Sequence, residues 1–389
     1  MTLTKQHFTI FLILITEVLG FSLILPFIPF MAKEMGASPF VIGLLLTTFS
    51  FFQFISAPIA GTLSDRFGRK PLLLICQVAT LVSFLILGFA NSLWMLFLSR
   101  ILDGLLGSNA TIAKAYLSDI TSQKEKSKVF AVSGAAFGFG FMIGPIIGGT
   151  LAQTSYALPS FIASGIAFIS ILLTIFTLPE TVKKQTSTFK LSSIKLIDLD
   201  RIKHYLTDKK VNQQLIEFGC YALAMALFSG SFSVYADIKY SATTQQIGLV
   251  LTTIGLTNVI FRGLLIPKLI DRFGERKLER AGVSLMIISL LLSLFSSSFI
   301  WQYPAIILFA TGAGLNYPLM MGDISRSVND DEQGAIIGVA NSLDSLANIA
   351  GPFIGGLLLA SSYPDSFLLM SMSIMLFCLV LILREKKEY

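Results

Sequence analysis

Charge is scarce in this chain. Asp, Glu, Lys and Arg make up 13% of its 389 residues, while 54% are hydrophobic; a water-soluble protein carries about 25% charged residues. A globule of this size could not clothe itself with so few charges, which excludes a cytosolic enzyme and a secreted scaffold and leaves an integral membrane protein. The net charge of +6 does not point to nucleic acid, because the basic residues are sorted by position along the chain. Histidine is almost missing: His7 and His204 both lie outside the apolar runs, so neither a histidine metal cluster nor a Ser–His pair is available. Cys76, Cys220 and Cys378 sit far apart within apolar stretches and read as small buried hydrophobes, not as a disulfide framework or a metal site. No Walker loop is present, which excludes a built-in ATP motor, and no cofactor or metal is implied. No run alternates apolar and polar residues as a barrel strand would.

What the chain does have is long apolar runs. A helix needs about 20 mainly apolar residues to cross a bilayer, and such runs fall at roughly 8–31, 40–63, 72–90, 93–117, 129–153 and 157–178, then 212–236, 245–270, 278–299, 302–325, 333–360 and 364–383. The expectation is an all-α membrane protein of twelve transmembrane helices in two pseudo-symmetric six-helix bundles, 1–178 and 212–389. Glu17, Pro26 and Pro29 in the first run argue against a cleaved signal peptide. With the N-terminus inside, Lys33 and Lys239 fall outside the membrane on the far face, Arg100, Lys114 and Arg262 fall within spans, and the other basic residues gather on the near face. The positive-inside rule then puts both termini in the cytoplasm, in a cell inner membrane. Residues 179–211 form a polar cytoplasmic linker; its SSIKLIDLDRIKHYL stretch is either solvated or a short amphipathic helix on the membrane surface.

The two halves repeat. Gly61 to Lys70, with Asp65, Arg66, Gly68 and Arg69, is echoed by Asp271-Arg272-Phe273-Gly274. Gly144-Pro145 with Gly148-Gly149 is echoed by Gly351-Pro352 with Gly355-Gly356. The two offsets are 206 and 207 residues, which indicates a parallel duplication of the kind found in secondary transporters.

Asp65-Arg66-x-Gly68-Arg69-Lys70 after Gly61 resembles the signature loop of the major facilitator superfamily. Gly140-x-x-x-Gly144-Pro145-x-x-Gly148-Gly149 resembles the motif of its drug/proton antiporters, and Leu96-x-x-x-Arg100-x-x-Asp103-Gly104 resembles their fourth-helix motif, with Asp103 in place of the usual glutamine. Glu17-Val-Leu-Gly20, running on to Pro26, resembles the first helix of the tetracycline/proton antiporters, with Glu for their usual Asp. The resemblance implies a carrier, not an enzyme: a proton-coupled antiporter working by alternating access, with a small-molecule substrate and protons as partners, the bilayer around it, and a monomer as the working unit. It also implies that the 61–70 loop latches the outward-open state. Gly61 is expected to allow close helix contact, Asp65 to accept from backbone donors at a neighbouring helix end, and Gly68 to make the tight turn.

Charges within the hydrocarbon are costly and mark function. Glu17, with no basic residue in its own run, is the candidate proton carrier. Asp103 is expected to share its task, and Arg100, three residues before Asp103, to pair with it either structurally or as part of the coupling. Glu217 and Lys114, near run ends, are expected to snorkel to water. Candidate substrate-lining residues are Phe21, Gln53 and Phe137 in the first half. In the second half they are Tyr221, Phe228 and Phe232 on one run, and Asn258, Arg262, Asn316, Tyr317, Asn341 and Asp344 on later ones. Arg262 and Asp344 are either a fixed bridge or substrate ligands. The leading expectation is export of an amphipathic, drug-like compound; a proton-coupled carrier of a metabolite or anionic nutrient is the alternative. A channel or a lipid enzyme fits poorly, since no pore loop or catalytic cluster is visible.

Overall fold

A computed structural model describes residues 5–122, 126–182, 204–205, 207–208, 211–261, 265–329 and 332–384, with backbone alone at 126–133, 135, 137 and 267. Arg262, the Phe137 side chain and nearly all of the possible amphipathic stretch lie outside the described residues. Regular structure among the described residues is entirely helical. In the first half run α1 (Lys5–Ile24), α2 (Ile28–Glu34), α3 (Pro39–Phe67), α4 (Arg69–Gly88), α5 (Leu93–Leu106), α6 (Asn109–Ile120), α7 (Lys126–Leu151) and α8 (Ala157–Thr177). The second half has α9 (Asn212–Tyr240), α10 (Thr244–Ile260), α11 (Ile266–Phe273), α12 (Glu275–Phe295), α13 (Gln302–Arg326), α14 (Gln333–Leu359) and α15 (Ser366–Arg384).

Nine helical segments among the described residues are long and apolar enough to span a bilayer, where the sequence leads one to expect twelve. Of the three others, one run is interrupted, and in the other two the described residues cover only part of the run. The run at 93–117 is broken after Gly107 into α5 and α6, of 14 and 12 residues. In α7 the apolar stretch among the described residues is Gly138–Leu151. α10 has 17 residues before the chain departs from α-helical geometry at Phe261.

Contacts divide the chain into two compact units. One contains Met1–Ala37, Thr48–Leu196 and Thr243–Gly255; the other contains Ser38–Thr47, Ile197–Ala242 and Leu256–Tyr389. Inside the first, α1 packs on α7 and α8, and α4 on α5 and α8. Inside the second, α9 packs on α14 and α15, and α12 on α13 and α15. The two packing patterns are the same, as the duplicated motifs require.

Small residues set these packings. A Cβ on Gly140 would press on Val18, one on Gly144 would strike Ser22, and one on Gly148 would strike the Leu23 backbone, so three motif glycines let α7 lie against α1. Ser22 Oγ donates to the Gly140 carbonyl at 3.0 Å. Gly149 faces the other way: a Cβ there would meet Thr244 and Gly248, and Thr244 Oγ1 donates to the Gly149 carbonyl at 2.8 Å. In the second unit α14 repeats the scheme. Gly351 and Gly355 lie against Ala226 and Ser231 of α9, while Gly356 lies against Gly43.

Outward-facing residues are apolar. Phe176 and Phe295 are 80% and 81% exposed, tolerable where the surroundings are lipid tails and costly in water.

Candidate functional site

α1 carries Glu17 into the first unit, where it meets a side chain from the start of α6. Asn109 Nδ2 donates to Glu17 Oε2 at 2.8 Å and to Thr80 Oγ1 of α4 at 2.9 Å. With Glu17 ionised this is the favoured amide orientation, because the amide oxygen against the carboxylate would be repulsive. Thr80 Oγ1 then donates to Asp103 Oδ1 at 3.0 Å. Asp103 Oδ2 lies 3.6 Å from Arg100 Nη1, and Arg100 Nη2 donates to Ser99 Oγ at 3.0 Å. Arg100 and Asp103 are 2% and 4% exposed, so the pair predicted on one helix face is real and fully desolvated. Glu17 Oε1 is buried with no hydrogen-bond partner.

The relay needs the break in the fourth apolar run. Gly107 N–H donates to the Asp103 carbonyl at 2.7 Å, and Ser108 Oγ pairs with Ser56 Oγ at 2.9 Å. That turn re-aims the chain so that Asn109 points at Glu17 and not along the axis of α5. Asn109 and Thr80 are the relay members that reading the sequence missed. Each is a neutral polar residue in an apolar run, the one available signal, and both resemble ordinary satisfied core residues until α1, α4 and α6 are assembled.

Beside Arg100 the wall is aromatic. Its guanidinium carbon lies 5.9 Å from the Phe49 ring centroid, and Phe21 lies 5.3 Å from Phe49 and 6.3 Å from Phe141. Gln53, on the next turn of α3, is exposed. Phe21, Gln53 and Arg100 therefore belong to one neighbourhood.

In the second unit the named residues separate. Phe228 is stacked on Phe309 at 4.1 Å and packs on Phe232 at 5.3 Å, and Phe228 and Phe232 are buried in an aromatic core. Tyr221, also buried, donates its hydroxyl to the Ala313 carbonyl at 3.0 Å. Asn316 is fully buried, its Nδ2 on Met286 Sδ at 3.8 Å. Tyr317 packs on Phe218 at 6.0 Å. Asn258 and Asn316 each keep a buried amide oxygen with no partner. Asn341 is exposed, and Asp344 receives Asn348 Nδ2 at 3.4 Å.

The signature loop is a charge cluster. Gly68 has φ 105°, a left-handed conformation that glycine adopts without penalty, and it turns α3 into α4. Arg69 pairs with Asp65 at 2.5 Å and with Asp119 of α6 at 2.9 Å, and donates to Ser64 Oγ at 2.6 Å. Arg66 stacks on Phe67 at 5.3 Å. Two expectations for this loop are corrected. Asp65 spends its carboxylate on Arg69, and the backbone donors at the start of α4 are taken by Glu180, which accepts from Arg69 N at 2.9 Å and Lys70 N at 3.1 Å. A Cβ at Gly61 would meet nothing within 4 Å among the described residues, so Gly61 marks no close contact in this conformation. The second copy behaves alike: Gly274 has φ 78°, Arg276 lies 3.4 Å from Glu279 and 3.8 Å from Asp323, and Arg326 pairs with Asp323 at 2.7 Å and with Glu275.

Glu217 does not snorkel. It is 2% exposed, and Gln213, one turn earlier, donates to Oε1 at 2.8 Å, supplying internally what water would have supplied. Lys114 is exposed, as expected.

Long apolar helices, a duplicated packing scheme and the desolvated Arg100–Asp103 pair define a helical, polytopic membrane protein. The chain belongs to the major facilitator superfamily: the Major Facilitator Superfamily profile matches residues 10–236 and 217–389. It is 28% identical over 355 residues to the tetracycline resistance protein, class H, of Pasteurella multocida, covering 90% of this chain and 88% of the relative. It is 30% identical over 377 residues to multidrug resistance protein 2 of Bacillus subtilis, covering 93% and 92%. Among solved structures, the human organic anion transporter MFSD10 matches with a TM-score of 0.70 at 21% identity, covering 97% of this chain and 100% of the other, a likeness of fold. The chain is a secondary-active transporter that moves a small solute across a membrane; members of this family are carriers, not enzymes.

Proposed function

We propose that this transporter exports a small amphipathic, drug-like compound in exchange for protons, by alternating access, with Glu17 as the proton carrier. The observation that carries the reading is the relay itself. Glu17 is a half-buried acid within an apolar helix, without a charged partner among the described residues, tied through Asn109 and Thr80 to an Asp103–Arg100 pair. An acid so placed changes the charge of the whole cluster when it takes or gives a proton. Phe21, Phe49 and Gln53 beside Arg100 offer an aromatic and polar wall suited to an amphipathic guest. The names of the tetracycline and multidrug resistance relatives favour that substrate class.

The finer topology belongs to the same proposal. The chain crosses the membrane twelve times, as bundles of residues 1–178 and 212–389 joined by a cytoplasmic linker, 179–211. Both termini face the cytoplasm, and the monomer is the working unit. The broken α5–α6 run, α7, and α10 with α11 supply the crossings beyond the nine apolar segments.

A second reading, a carrier of a metabolite or anionic nutrient, draws on Arg100, whose buried Nε has no partner and would suit an anion. Proteoliposomes with an imposed pH gradient separate the two. Tetracycline and a lipophilic dye cation should be driven across by wild-type protein. Glu17→Gln should bind them and fail to concentrate them. A Gln variant that still accumulates either probe against a gradient rules out Glu17 as the carrier. Flux of small carboxylates alone would favour the second reading.

A further inference from the structure

We infer that Asn109 is a positioning residue for proton coupling, and that α6 is the rod by which the charge state of Glu17 reaches the Arg69–Asp119 pair. The inference rests on the reading of Glu17 as proton carrier and adds the route by which its charge is felt at the signature loop.

α6 is gripped at both ends. Its first residue, Asn109, holds Glu17 at 2.8 Å; near its last turn, Asp119 holds Arg69 at 2.9 Å. The ten intervening steps span about 15 Å of helix at the usual rise. Between the grips the helix is stiffened by packing: Ile112, Ala113, Tyr116 and Leu117 are all buried, and Tyr116 donates its hydroxyl to the Pro179 carbonyl at 2.8 Å. A displacement at one end is thus delivered to the other.

The rod is also separate from α5. The chain leaves helical geometry at Gly107 and Ser108, so α6 is not continuous with α5. A Cβ on Gly107 would run into the Asp103 carbonyl and stand 3.0 Å from Thr80 Oγ1, which places the break inside the hydrogen-bonded relay.

The charge logic follows from hydrogen-bond strength. With Glu17 ionised, its bond from Asn109 is charge-assisted, roughly twice as strong as a neutral one. On protonation the grip weakens and Asn109 keeps Thr80 as its partner. The charged or titratable groups facing Glu17 are Asp103 and its partner Arg100 from α5, and Cys76 from α4. α8 carries no charged residue, nor do the described side chains of α7, while on α6 Lys114 is exposed and Asp119 is engaged at the far end. Glu17 also has the Ser170 hydroxyl of α8 as a hydrogen-bonding neighbour, and its link to α6 is Asn109.

The test is amide hydrogen exchange at one alkaline pH on the full-length protein in detergent, read over residues 64–70 and 115–120. Glu17→Gln, which mimics the protonated acid, should speed exchange there by about threefold or more. Asn109→Ala should do the same, and the double variant should exchange no faster than either single one. Asn109→Ser, which retains a donor, should recover part of the protection and serves if the alanine variant does not fold. Additive effects of Glu17→Gln and Asn109→Ala overturn the inference, because a merely structural asparagine would loosen the loop whatever the charge on Glu17. Wild-type exchange in Glu17→Gln, together with loss of pH-driven tetracycline flux, overturns the rod and leaves the proton carrier standing. Normal flux in Glu17→Gln overturns the carrier reading and this inference with it.

Discussion

Asn109 and Glu17, 92 residues apart in the chain, share a 2.8 Å hydrogen bond, and through it a half-buried acid is joined to the only arginine–aspartate pair among the described residues whose two side chains are both under 10% exposed. The two acids of this relay differ in kind. Asp103 neutralises a buried cation; Glu17 neutralises nothing charged. Their substitutions should therefore separate stability from transport.

Asp103→Asn strips Arg100 of its counter-ion in a desolvated site. Breaking a buried pair in this way costs about 3–5 kcal/mol, so thermal unfolding of the purified protein should fall well below wild type. Glu17→Gln removes an unpaired, half-buried charge and should leave the melting temperature unchanged or raised. A Glu17→Gln protein that melts as low as Asp103→Asn would mean that Glu17 is a structural counter-charge.

Gly68 and Gly61 belong to the same motif and should respond oppositely. Gly68→Ala forces a side chain into φ 105° and against the Glu180 carboxylate; strained backbone of this kind costs about 1–3 kcal/mol. Gly61→Ala meets open space within a helix, where alanine is favoured over glycine by about 1 kcal/mol. Melting curves of the two variants, compared at equal detergent, check the sign of each.

Close helix approach predicts a similar contrast along α7. Gly148→Ala collides with the Leu23 backbone, which cannot rotate away, whereas Gly134→Ala has nothing within 4 Å among the described residues. The first should reduce the yield of monodisperse protein and lower its melting temperature, by about 2 kcal/mol or more of stability. The second should be neutral or stabilising. Gly355→Ala, facing Ser231, should behave like Gly148→Ala if the duplicated motifs do the same work.

At the other end of the second unit, Lys239 Nζ lies 2.8 Å from Asp365 and donates to Tyr235 Oη at 2.8 Å. Tyr235 Oη donates to the same carboxylate at 2.8 Å. Lys239→Ala removes a charge-assisted bond from a partly exposed site, a loss of about 1–2 kcal/mol. Lys239→Ala in an Asp365→Asn background should cost less than in wild type, and a double-mutant cycle of melting temperatures measures the difference.

Much of this protein was set by composition and order along the chain. Few charges with long apolar runs force helices, because lipid offers no partner for an open backbone. The repeats of Asp65-Arg66-x-Gly68 and Gly144-Pro145 fix a duplication, and identical packing partners follow from it. Even the Arg100–Asp103 pair was legible, since three residues on a helix set the spacing locally. What lay beyond reach was every contact made between distant segments. The break after Gly107 that yields α5 and α6, the choice of Glu180 over Asp65 to receive the Arg69 and Lys70 amides, and the use of Thr80 and Asn109 as relay members all arise where α1, α3, α4, α6 and α8 meet. Glu217 makes the same point: one turn of helix brings Gln213 to it, but only the surrounding helices decide that it is buried. Local periodicity dictates which face a residue occupies; a neutral polar side chain gains its role from the partner that packing places 2.8 Å away, and that placement exists only in the folded chain.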